Sequence, residues 1–122
     1  MSNLLPFQRV NIGILIGMLV ALPAKQYNHD DIGFGFDGAD PEVGCAIGLA
    51  FRNSRVFKVP GENGSMVSAD TLGLYPFGFA TAAFGDTLLD IFGSHAFRPL
   101  PPHEVTKEMV IERLEQLLQA AV

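Results

Sequence analysis

Gly44-Cys45-Ala46-Ile47-Gly48-Leu49-Ala50-Phe51 decides how this chain folds. Its alternation of small and larger apolar residues suits a short buried helix against which other elements can pack closely. The cysteine reads there as a small hydrophobe between Gly44 and Ala46. Just upstream, Pro41 and Glu42 mark a helix start, since proline suits the first turn and an acid suits the positive end. The second helix is therefore expected to run to about Phe51, with Arg52, Asn53 and Ser54 closing it. This places it as the packing axis of a mainly α, compact orthogonal helical domain. The first and last helices are expected to pack around it, with one short β-hairpin flap.

Outward toward the N-terminus, residues 7–22 read as the first helix. Val10, Ile14, Leu15, Met18, Leu19 and Leu22 follow three- and four-residue spacing. Ile12, Ile16 and Val20 carry apolar character round to the other side, and a helix apolar all round is buried or packs on a partner. Gly13 and Gly17, four apart, predict the close approach of a neighbouring helix. Pro23 stops the helix, and residues 29–42 form a loop rich in Gly and Asp, with Phe34 and Phe36 pinning it to the core.

Outward toward the C-terminus, Val56-Phe57-Lys58-Val59 and Ser65-Met66-Val67 flank a turn containing Asn63-Gly64, which predicts a hairpin. Ser68 or Asp70 caps a helical turn carrying Leu72 and Leu74. Tyr75-Pro76-Phe77-Gly78-Phe79 is expected to break it, with a short turn from Thr81 to Phe84 interrupted by Gly85. Asp86 caps a further short helix that Gly93 ends, and a proline-rich loop leads to Thr106. That threonine caps the last helix, Lys107 to about Ala120, whose apolar face is Met109, Val110, Leu114, Leu117, Leu118 and Ala121.

A chain of 122 residues fits one domain. With 48% hydrophobic and 17% charged residues it is neither a disordered tail nor a coiled coil. A net charge of -5 and eight thinly spread Lys and Arg argue against nucleic acid and anionic membrane surfaces as partners. One cysteine cannot form an intrachain disulfide, and with three distant histidines it gives no zinc spacing. The apolar run from Ile12 to Leu22 is shorter than the roughly 20 residues a bilayer needs. It also makes a poor secretory signal, because only Arg9 precedes it and Leu22 occupies a small-residue position. A cytoplasmic location and no cofactor are expected.

Three chemistries can be weighed. At a helix N-terminus the Cys45 thiolate is favoured, and His29, His95 or His103 could act as base with Asp30, Asp31 or Asp37 as orienter. This alternative is a cysteine-dependent hydrolase or transferase using Cys45, His29 and His95. The acidic approach opposes it, since nearby carboxylates disfavour a thiolate. Asp30, Asp31, Asp37, Asp40 and Glu42 could supply oxygens to calcium, but their spacing is not that of an EF-hand, and solvated capping acids explain them. Gly33-Phe34-Gly35-Phe36 lacks the strand and lysine of a phosphate loop. The third is a binding surface: Phe77, Phe79, Phe84, Phe92 and Phe97 lie in a half broken by Gly and Pro, where rings could stay exposed for a partner.

Leu22-Pro23, Tyr27-Asn28, Cys45, Gly48, Ala50, Leu72-Gly73-Leu74, Ile91-Phe92 and Thr106 together form a pattern. It resembles a group of small uncharacterised α-helical proteins of bacteria and phages. Their usual string is Cys-Gly-Thr-x-x-Cys-x-x-Gly-x-Ala, followed by a Leu-Gly-Leu segment and a Thr-capped last helix. The likeness spans most of the chain, but the family's first cysteine is missing. The resemblance implies an all-helical fold and a phage or mobile-element setting, without an activity or catalytic residues. The expected function is a non-enzymatic protein-interaction or self-assembly module, working as a homo-oligomer or against a host protein.

Overall fold

A computed structural model describes residues 4–30, 43–85, 97 and 99–120. The fold is mainly α with one antiparallel hairpin. Among the described residues four longer helices appear: α1 (Pro6–Ala21), α2 (Ala46–Arg52), α3 (Pro76–Phe84) and α4 (Lys107–Ala120). The hairpin pairs β1 (Lys58–Pro60) with β2 (Met66–Ser68), with Val59 opposite Val67. Four single 3-10 turns lie in the connections among the described residues. The acids and aromatics expected in the 29–42 loop beyond Asp30, including Pro41 and Glu42, lie outside the described residues, as does the short helix expected after Asp86.

Pro6 opens α1, and the Gln8 Oε1 accepts the Leu5 N–H at 2.9 Å, satisfying a donor at the helix start. Its buried side is Asn11, Ile12, Leu15 and Leu19. Leu15 and Leu19 belong to the expected stripe, but Asn11 and Ile12 are buried with them, Ile14, Met18 and Leu22 are half-buried, and Val10 faces solvent. At its far end the Lys107 ammonium donates to the carbonyls of Leu19 (2.9 Å) and Val20 (3.1 Å). A cation on the last carbonyls of a helix opposes their partial negative charge. Lys107→Met is therefore expected to cost about 1 kcal/mol. It would be read as a lower urea midpoint at unchanged slope.

The same contact joins the first helix to the last. α1 packs chiefly against α4, and α2 against α3. The expectation that both terminal helices wrap α2 is thus corrected, since α2 has seven residues and is too short to serve as an axis for two longer helices. It remains deeply inside: Ala46, Ile47, Gly48, Leu49 and Ala50 are all buried. The Thr106 Oγ1 accepts the Met109 N–H at 3.3 Å, capping α4 as expected.

Asn11 is the joint of the molecule. It is 1% exposed on the core side of α1. Its amide nitrogen donates to the carbonyls of Lys58 (2.9 Å) and Ala83 (2.7 Å), and its oxygen accepts the Lys58 N–H (3.1 Å). One side chain therefore ties α1 to the start of the hairpin and to the last turn of α3. The hairpin is consequently stitched to the core at its base, with Phe57 and Val59 buried and the Ala69 N–H donating to the Phe57 carbonyl at 2.7 Å.

The region after the hairpin departs from expectation. The turn after β2 is a 3-10 helix (Ala69–Leu72) that ends at Gly73, whose φ of +63° suits a residue without a side chain. Pro76 then begins α3 instead of breaking helical structure, because a missing N–H costs nothing in the first turn. Gly85 closes α3 at φ +103°.

Candidate functional site

Cys45 precedes α2 and is 5% exposed. His29 is 4% exposed and Tyr27 is partly buried. A short parallel bridge brings the two segments together: the Asn28 N–H donates to the Gly44 carbonyl at 2.9 Å and the Gly44 N–H to Gln26 at 3.1 Å. The Tyr27 hydroxyl lies 2.8 Å from the His29 Nδ1, within hydrogen-bond distance. Tyr27 thus touches His29 directly and lies near Cys45 across the bridge. Such an arrangement closes off the start of α2.

Burial holds the Tyr27 hydroxyl neutral well above the ordinary phenol range, the nearby Cys45 adds to that push, and the Ala46 N–H partly opposes it. Because the folded value is raised, the stability this supplies is complete below the unfolded phenol's pKa of about 10 and is lost as pH climbs above it. In a Tyr75→Phe variant Tyr27 is the sole phenol. Its phenolate absorbance is expected to stay flat past pH 10 and then to rise together with loss of helical circular dichroism. Ionisation near pH 10 with the fold intact would contradict the buried arrangement.

The aromatic set splits. Phe79 (1%), Phe84 (0%) and Phe97 (6%) are buried, so these rings form no exposed binding surface. Phe57, Phe79 and Phe84 meet edge to face at centroid distances of 5.0 to 6.0 Å, a favoured geometry for aromatic quadrupoles. Phe97 sets its edge against His29 at 5.5 Å, and the Arg113 guanidinium carbon lies 4.1 Å from its ring centre. Phe77 is 56% exposed, beside exposed Tyr75 and Leu74. Phe92 and His95 lie outside the described residues, and His103 is exposed on the turn before α4.

The outer side of α1 is the feature that sequence reasoning placed wrongly. Gly13 and Gly17 are exposed, with open space where a Cβ would project. They therefore receive no neighbouring helix among the described residues. Pro6, Val10, Val20 and Ala21 are exposed with them, and together these positions make one side of the helix without a polar group. The polar residues of α1 are Gln8, Arg9 and Asn11, all half-buried or buried. One Arg9 guanidinium nitrogen is buried without a hydrogen-bond partner among the described residues. The signal was present in the sequence, since no polar residue follows Asn11 before Ala21.

No helix among the described residues is long and apolar enough to cross a membrane. Comparison with family models, with curated proteins and with solved structures found no match.

Proposed function

We propose that this chain is a non-enzymatic self-assembly or protein-interaction module, and that the outer side of α1 is its contact surface. The observation that carries the reading is the solvent-facing row Val10, Gly13, Gly17 and Val20, apolar throughout and notched at its centre by two glycines. A helix apolar on every side is stable in water when something covers it. The row also reads alike from either end, with spacings of three, four and three residues. That symmetry suits a second copy related by a two-fold axis, in which one patch meets its own equivalent. In an antiparallel pairing Val10 meets Val20 of the second copy, and the glycines let the two backbones approach. The phage or bacterial setting rests on the sequence resemblance alone.

Sedimentation velocity over a concentration series tests the reading. Mass is expected to rise with concentration, and Gly17→Glu, which puts a charge in the notch, is expected to leave a monomer that keeps the helical circular dichroism of the wild type. A wild type that is monomeric throughout overturns self-assembly. The pairing direction has its own test, because the native Cys45 is buried. Val10→Cys mixed with Val20→Cys is expected to form a disulfide-linked pair, while Val10→Cys alone is not. Linkage of Val10→Cys to itself would mean a parallel pair.

A further inference from the structure

We draw no further inference here: the strongest candidate, the groove between α2 and α3 lined by Phe51, Leu74, Tyr75 and Phe79, is an unpartnered apolar surface, and nothing among the described residues shows what covers it.

Discussion

Asn11→Ala is expected to lower the unfolding free energy by about 4 kcal/mol, among the largest effects of any polar substitution in this chain. The alanine leaves the Lys58 N–H and the carbonyls of Lys58 and Ala83 without their partner. Each buried group so orphaned costs roughly 1–3 kcal/mol, and water entry recovers part of that. A domain of this size has only about 5–15 kcal/mol to lose, so the variant should be marginal at body temperature. Asn11→Asp separates hydrogen bonding from volume. It keeps the shape but faces two carbonyl oxygens with an acceptor. Its carboxyl is favoured in the protonated form, which retains one donor. The folded pKa of that carboxyl is thus raised, so the aspartate variant should be least impaired below about pH 4 and progressively weaker as pH rises to neutrality. Urea midpoints at several pH values, referred to the wild type, check this. A cost under about 1 kcal/mol for both substitutions would mean that the three bonds are replaceable by solvent.

The second large effect falls on Phe84. Truncation to alanine is expected to cost about 4 kcal/mol, within the usual range for a buried phenylalanine. Phe84 is fully buried and meets Phe57 at 5.0 Å and Phe79 at 5.9 Å. Phe77→Ala, about two turns earlier on the same helix, should change stability by less than about 0.5 kcal/mol, because that ring is 56% exposed. The pair measures how the aromatic-rich half divides between interior and surface. Comparable losses for the two would show that Phe77 is covered in solution.

The helical content, the hairpin with its Asn-Gly turn and the Thr106 cap were legible because each rests on local signals. Periodicity, turn residues and capping side chains act over a few positions. Asn11 was not legible. Its partners are 47 and 72 residues away, and an asparagine within an apolar run carries no mark of whether it faces water or backbone. The Pro76 error had a similar origin, since proline both ends and begins helices and only the following residues' environment decides which. The phenylalanines misled through composition: glycine and proline nearby suggested loops, yet α3 is regular and carries Phe79 and Phe84 inward. Of the candidate site, the sequence offered Cys45 and three histidines without choosing among them, while the Tyr27 hydroxyl beside His29 follows from the bridge between residues 27 and 44, a pairing too short to announce itself.

The grip of Lys107 on the end of α1 also bears on the order in which the molecule can be made. Helices themselves form early and locally, but this contact spans 88 residues. Long separations must be closed before they return any energy. During synthesis α1 emerges before α2, α3 and α4 and waits with Ile12, Leu15 and Leu19 uncovered until the elements that bury them, α4 and α3 chiefly, have been made. The nascent chain is thus at its most adhesive just before its last helix is released. A pulse of protease on ribosome-held chains should find α1 vulnerable until residues 107–120 have cleared the exit, and protected soon after.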